Sequence, residues 1–158
     1  MKEMKRILIL ILLILSIEYL YANDTKDVDF SFNTTLSYNS YGPNYQGYGP
    51  ALGKKFIIKK GNKIRVEISG IANKDIPIMY FSIVDRSQNV EFWKDITPKK
   101  QLVIKDIVAG EPFKCSFTTN ALVTPTSYSS ARFVFMHEYM QLKKVKLSNC
   151  EINIQIEK

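Results

Sequence analysis

Polar and apolar residues alternate with a two-residue period through most of the chain after residue 27, as expected of β-strands that bury one face. The stretch 63–69 (KIRVEIS) shows this alternation most clearly. The stretches 76–84 (IPIMYFSIV) and 131–137 (ARFVFMH) are apolar at both parities, which is typical of central strands covered on both faces. Further strands are predicted at 28–39, 54–60, 101–108, 113–119, 142–147 and 151–156.

No segment has the 3.6-residue period of an amphipathic helix, and turn residues separate the strands at short intervals. About nine or ten strands in one chain predict an all-β sandwich or barrel. Because no internal repeat, linker or second composition is visible, we expect a single domain.

The N-terminus has the features of a secretory signal peptide. Lys2, Lys5 and Arg6 precede an apolar run at 7–17, and Ala22 offers a small residue for cleavage. The run is about half of the ~20 residues that a membrane-spanning helix needs. We therefore expect a signal peptide at 1–22, and a domain at 23–158 that is exported to the periplasm or the cell exterior. No stable membrane span is expected after cleavage, and an uncleaved anchor is the alternative.

The chain has a net charge of +7, but its lysines are scattered along the sequence. Nucleic-acid-binding domains usually concentrate their basic residues in a stripe or patch. No nucleic-acid partner is therefore predicted.

The two cysteines, Cys115 and Cys150, are compatible with a disulfide in an exported protein. Pairing requires their Cα atoms to lie within about 7 Å of each other. The alternative is a pair of buried thiols that behave as small apolar side chains.

The segment 40–50 (SYGPNYQGYGP) differs from the rest of the chain. Its three glycines and two prolines disfavour both a helix and an interior strand, so a loop is predicted. Its tyrosines, Tyr41, Tyr45 and Tyr48, can form a stacking platform for sugar rings or pack over the end of the sandwich. Both alternatives remain open at this point.

Trp93, the only tryptophan, follows a polar turn at 85–89. Its ring can stack on a sugar or fill the core at the edge of the sandwich. Aromatic rings would stack on a glycan, while amide and guanidinium groups would bind its hydroxyls. The candidate ligand-binding residues are Tyr41, Asn44, Tyr45, Gln46, Tyr48, Arg86, Trp93 and Tyr139.

Several short motifs resemble those of one superfamily. The sequence ISG at 68–70 ends one strand, IVD at 83–85 followed by Ser87 ends the next, and 145–156 matches the last two strands. Phe92-Trp93 stands where the family has a Tyr-Trp pair. Over most of residues 30–157 the chain thus resembles the jelly-roll carbohydrate-binding modules, which are galactose-binding-like β-sandwiches attached to bacterial glycanases. The resemblance implies a single jelly-roll sandwich that binds a glycan without catalysis.

The same resemblance implies a structural calcium ion near the chain ends. Asp24, Asp27, Asp29 and Glu151 are the residues there that supply oxygen ligands. No other metal or cofactor is predicted.

The sequence contains no recognisable catalytic motif. His137 is the only histidine, and no Gly-x-Ser-x-Gly pattern accompanies it. Glu67, Asp85, Glu91 and Asp95 are candidates for a glycosidase pair, but nothing in the sequence marks out any two of them. We predict a non-enzyme, and the alternative to glycan binding is a periplasmic or envelope protein-interaction domain of the same fold.

Overall fold

Nine β-strands form the regular structure of the computed structural model, which describes residues 26–39, 44–53, 57–86, 93–127 and 130–157. The side chains of residues 26–28, 39 and 44 are outside that description, as is the predicted signal peptide at 1–22. The described chain contains no helix long and apolar enough to cross a membrane. The strands are β1 (Lys26–Asn39), β2 (Asn44–Ala51), β3 (Lys63–Ala72), β4 (Ile76–Asp85), β5 (Lys94–Asp95), β6 (Leu102–Ile107), β7 (Pro112–Asn120), β8 (Ala131–His137) and β9 (Val145–Glu157).

The strands form two antiparallel layers that share β1. Sheet A has the order β1-β9-β3-β7, and sheet B continues from the end of β1 through β2 and β8 to β4, with β5 and β6 both on the far edge of β4. Residues up to Leu36 of β1 pair with β9, whereas residues 37–39 pair with β2. The predicted all-β jelly-roll sandwich is confirmed.

The core lies between the two sheets and is built by the inward positions of each strand. In sheet A these include Ile64, Val66 and Ile68 of β3, which alternate with exposed charged residues as the sequence predicts. In sheet B, Phe81 and Phe133 are fully buried, and their ring centroids are 5.8 Å apart. Both β4 and β8 are central strands with buried residues at both parities, so that prediction is also confirmed.

The predicted loop at 40–50 is wrong for residues 44–50, which belong to the interior strand β2 between β1 and β8. Residues 40–43 lie outside the described residues. Glycine suits this strand since a Cβ at Gly49 would lie 2.9 Å from Phe32 and 3.0 Å from Phe133. Pro50, which has no N–H for the ladder, lies at the irregularity in the pairing of β2 with β8. Close packing therefore explains a composition that is otherwise typical of a loop.

Two other strand predictions need correction. The separate strands predicted at 142–147 and 151–156 are one strand, β9, interrupted by an irregularity at Asn149, whose φ is 50°. Of the strand predicted at 54–60, only 57–60 is described, and these residues form no strand although Ile58 is buried.

The disulfide considered between Cys115 and Cys150 is not formed, and both are free thiols. Cys115 lies on β7 and Cys150 on β9, with β3 between them. Two strand spacings of ~4.8 Å place the strands ~10 Å apart, beyond the usual Cα separation of a disulfide. The alternative of two apolar-like thiols is the one that the structure has, and burial raises the pKa of each to about 11.

Candidate functional site

The outer face of sheet B is the side of β2, β8 and β4 that points away from the core. Residues of the three strands lie in rows across it: Tyr48 pairs with Val134, which pairs with Ser82, and Gln46 pairs with Met136. Val134 and Met136 are buried, yet they do not belong to the core between the sheets. The outer face of sheet B is thus apolar at Val134 and Met136, whereas the outer face of β3 carries exposed charged residues.

Three of the predicted ligand-binding residues meet on this face. The guanidinium carbon of Arg86 lies 4.6 Å from the ring centroid of Tyr48 and 4.3 Å from that of Trp93. The two rings contact each other edge to face, with centroids 5.7 Å apart. We call Tyr48, Arg86 and Trp93 the aromatic clamp. Trp93 packs in the clamp and is not among the described residues that form the hydrophobic core between the sheets.

Local strand structure positions each member of the clamp. Arg86 follows β4 directly, and its backbone N–H donates to the carbonyl of Ser130 at 2.9 Å, which extends the ladder between β4 and β8. Trp93 immediately precedes β5, which pairs with the end of β4. Tyr48 is held by β2. Three different segments therefore meet at the same end of sheet B.

Gln46 adds polar groups beside the clamp. The Tyr48 hydroxyl donates to Oε1 of Gln46 at 2.6 Å, and Nε2 of Gln46 lies 3.9 Å from the sulfur of Met136. Burial raises the pKa of Tyr48, and the nearby Arg86 charge partly opposes this. The phenol therefore stays protonated near neutral pH, with its ring orientation fixed by Gln46.

The other end of the same face carries an ion pair. Lys100 pairs with Glu138, and the ammonium nitrogen lies 5.8 Å from the ring centroid of Tyr80. The hydrogen bond to Glu138 raises the pKa of Lys100. Tyr80 and Arg86 are ~20 Å apart along the strand. The face between them is therefore long enough to lie against an extended polymer.

The structure does not bring the remaining predicted site residues to the clamp. Tyr45 is 4% exposed and points into the sandwich, so its assignment as a stacking platform is wrong. Tyr139 is half-buried and belongs to the same inner cluster as Tyr45. Tyr41 and the side chain of Asn44 lie outside the described residues.

Tyr45 and Tyr139 flank His137 at one end of the sandwich. The centroid distances to the imidazole are 5.0 Å for Tyr45 and 6.2 Å for Tyr139, and both rings stack on it. The backbone N–H of Tyr139 donates to Nδ1 of His137 at 3.2 Å, so the proton of the neutral ring is on Nε2. That nitrogen is buried and has no hydrogen-bond partner among the described residues. Burial, together with the charge of Lys74, lowers the pKa of His137.

Sequence reasoning missed Tyr80 and Arg132, which lie on the same outer face as the clamp. Tyr80 pairs with Met136, and Arg132 pairs with Val84. The signal was available, because outward positions on β4 and β8 are two residues apart and include both. Apolar residues stand at both odd and even positions of these strands, so the sequence alone does not distinguish the outward positions from the inward ones.

The candidate carboxyls do not converge. Asp85 is 1% exposed and accepts hydrogen bonds from the backbone N–H of Thr126 at 2.7 Å and its hydroxyl at 2.8 Å, a structural role. Asp95 pairs with Val84 at the outer face of sheet B, where burial raises its pKa and the charge of Lys99 opposes this. Glu67 is instead on the outer face of sheet A, and Glu91 is outside the described residues.

Two of the calcium candidates, Asp29 and Glu151, lie on sheet A beside Glu67. They line a shallow cavity of about 370 Å³ together with Lys114, and the amide of Asn153 donates to Asp29 at 2.8 Å. The described part of the chain has no group of three His, Cys, Asp or Glu residues that could hold a metal ion. Asp24 and the side chain of Asp27 lie outside it.

No model of a known protein family matches the chain, and no curated protein matches it in sequence. Among solved structures, an arabinose-bound α-L-arabinofuranosidase, MgGH51, is similar over 82% of this chain with a TM-score of 0.50 and 6% identity. The chain spans 23% of that protein's length. The tobacco streak virus coat protein is similar over 86% of this chain and 87% of its own, with a TM-score of 0.40 and 16% identity.

Carbohydrate-binding modules also occur among the similar structures. The CBM22-1–GH10 modules of Clostridium thermocellum xylanase 10B, complexed with xylohexaose, match over 82% of this chain and 26% of theirs, with a TM-score of 0.40 and 14% identity. At these identities the first similarity shows a shared fold alone, and one fold serves many functions.

Proposed function

We propose that this protein is an exported, non-catalytic module that binds a glycan on the outer face of sheet B. The observation that supports the proposal is the aromatic clamp, in which Tyr48 and Trp93 come together around Arg86 outside the core. Both rings are partly exposed, and the Tyr48 hydroxyl is hydrogen-bonded to the amide of Gln46. Flat apolar rings next to hydrogen-bonding groups match the faces and hydroxyls of a sugar.

A binding role fits the site better than hydrolysis does. A glycosidase needs two carboxyls ~5–9.5 Å apart across the scissile bond. Of the candidates described, Asp85 accepts hydrogen bonds from Thr126, while Glu67 and Asp95 are on opposite outer faces of the sandwich. The clamp itself supplies a guanidinium and a phenol, and neither acts as the paired acid and base that such hydrolysis requires.

A protein-interaction role is the second candidate, and the edge strand β7 is the feature that favours it. Within the described residues β7 pairs only with β3, so its other edge is open. However, Pro112 and Lys114 lie on this strand, and both residue types discourage the addition of another strand. The most exposed large apolar residues are also spread over separate parts of the chain, namely Tyr38, Ile57, Val108, Leu122 and Met140.

Retention on polysaccharide gels tests the proposal. Trp93→Ala should weaken retention of the exported chain about tenfold, because ~60 Å² of lost apolar contact at ~25 cal/mol per Å² corresponds to ~1.5 kcal/mol. The melting temperature should change little, since Trp93 is outside the core. Tyr38→Ala, which removes a 55% exposed ring elsewhere, is the matched control. Failure of the unaltered protein to bind any polymer of a broad glycan panel would reject the proposal.

A further inference from the structure

The guanidinium of Arg86 lies over two aromatic rings on the outer face of sheet B. Its central carbon is 4.6 Å from the ring centroid of Tyr48 and 4.3 Å from that of Trp93, while the side chain as a whole is exposed. Cation–π contacts do not use the N–H donors in conventional hydrogen bonds, so these donors stay available to a ligand. Because the contacts restrict the side chain, less side-chain entropy is lost when a ligand binds.

A second arginine lies next to Arg86 on the same face. Arg132 pairs with Val84, and Arg86 is two residues beyond Val84 on the same side of the strand. Such diagonal neighbours across two strands are ~7–8 Å apart. Neither arginine has a salt bridge to a carboxylate of the described residues, whereas Lys63 and Lys100 pair with Glu157 and Glu138. Two adjacent cations beside the aromatic clamp are thus not ion-paired within the described chain. Asp95, a carboxylate on the same face, pairs with Val84 from β5 and forms no salt bridge with either arginine.

We propose that the glycan bound here is acidic, and that a sugar carboxylate is bound by Arg86 with Arg132 as the second cation. The inference rests on the proposed function and names the class of its ligand. A carboxylate is planar and accepts two parallel N–H bonds from a guanidinium, which a neutral hydroxyl cannot do. The parts of the Trp93 and Tyr48 rings that Arg86 does not cover contact the apolar faces of the sugar, and the arginines select for its charge.

The test compares two forms of one polymer: a polyuronate, and the same polyuronate with its carboxyl groups reduced to alcohols. In ~0.15 M salt, which screens exposed long-range charges, the acidic form should be retained about tenfold more strongly than the reduced form. Arg86→Lys keeps the charge but loses the planar two-bond geometry, so it should remove most of this preference. Arg65→Lys, on the exposed outer face of sheet A, is the matched control and should keep it.

The outcomes separate this inference from the proposed function. Equal retention of both polymers, with Trp93→Ala weakening both, would overturn the acidic preference while leaving glycan binding intact. If a sulfated neutral polysaccharide binds as strongly as the polyuronate and Arg86→Lys has no effect, the site recognises charge in general and the carboxylate assignment is wrong. If neither polymer nor any neutral glycan is retained, both proposals fail.

Discussion

Tyr45 and Tyr48 are three residues apart on β2 and therefore point to opposite sides of sheet B. Tyr45 stacks on His137 inside the sandwich, and its hydroxyl donates to the carbonyl of Met140 at 3.3 Å. Tyr48 contacts Arg86 and Trp93 on the outer face. One tyrosine thus stabilises the fold, and the other belongs to the candidate site.

This difference predicts opposite effects of the same substitution. Tyr45→Ala should lower the free energy of unfolding by about 3 kcal/mol, because it leaves a cavity where an aromatic ring was buried. Glycan retention below its melting temperature should not change. Tyr48→Ala should lower the free energy of unfolding by less than about 1 kcal/mol and weaken retention. Denaturant unfolding and gel retention on both variants measure the two effects, and similar effects of both on stability would contradict the assigned orientations.

His137 predicts how stability responds to acid. A histidine has an ordinary pKa near 6.5 in an unfolded chain, whereas burial and Lys74 lower the pKa in the folded protein. Between the two pKa values the unfolded state binds more protons, so the free energy of unfolding should fall as the pH is lowered through 6.5 toward the pKa of the folded protein. Melting temperatures measured from pH 7.5 to 5 test the expectation.

A His137→Phe variant isolates the contribution of this one residue. Phenylalanine keeps an aromatic ring between Tyr45 and Tyr139 but cannot be protonated. It loses the acceptor for the N–H of Tyr139, a cost that does not depend on pH. The difference in stability between the two proteins should therefore shrink as the pH falls. A constant difference from pH 7.5 to 5 would show that the pKa of His137 is not lowered.

At the scale of the element, β2 shows how far composition can mislead. Its Gly, Pro and Tyr content is typical of a loop, but Gly47 and Gly49 occupy inward positions where a Cβ has no room. Gly49→Ala should lower the free energy of unfolding by about 1–3 kcal/mol, because the methyl group forces Phe32 or Phe133 to move. Chemical denaturation measures the loss.

Gly53→Ala is a comparison in which crowding is absent and backbone strain is the only cost. Gly53 has a φ of 77° and open space around its Cβ position, so only backbone strain of ~1–2 kcal/mol is added there. Hydrogen exchange gives a second measurement, because interior strand amides at 45–48 should be protected. A stabilising effect of Gly49→Ala, or rapid exchange of these amides, would favour the loop.

The other elements show why much of the fold is readable from the sequence. The alternation in β3 and the two apolar parities of β4 and β8 come directly from the period of a strand and the burial of its faces. The site is less readable, because it depends on which segments meet. Trp93 lies 45 residues from Tyr48 in the chain, and no local pattern indicates that their rings come together around Arg86. The direction of Tyr45 is likewise decided by the pairing register of β2, which its turn-like composition hides.

At the scale of the whole molecule, the sandwich separates its stabilising core from the proposed binding surface. The core lies between the two sheets, and the clamp occupies the outer side of one of them. If the proposed function holds, substitutions at the exposed positions of that outer face should alter ligand preference at small cost in stability. The same separation means that the stability of the sandwich depends on packing between the sheets.

That dependence predicts how the protein responds to a reducing agent. Cys150 is fully buried, Cys115 is half-buried, and β3 separates their strands, so no covalent link joins β7 to β9. The melting temperature should be the same with and without dithiothreitol.

The raised pKa values of about 11 leave little reactive thiolate at pH 8. Thiol reagents should therefore modify the cysteines of the native protein slowly, and both cysteines quickly after denaturation. Had a disulfide closed the loop between these positions, its reduction would cost roughly 3–4 kcal/mol. A fall of many degrees in dithiothreitol, or the absence of titratable thiols in denaturant, would therefore show that the two strands are linked and that β3 does not separate them.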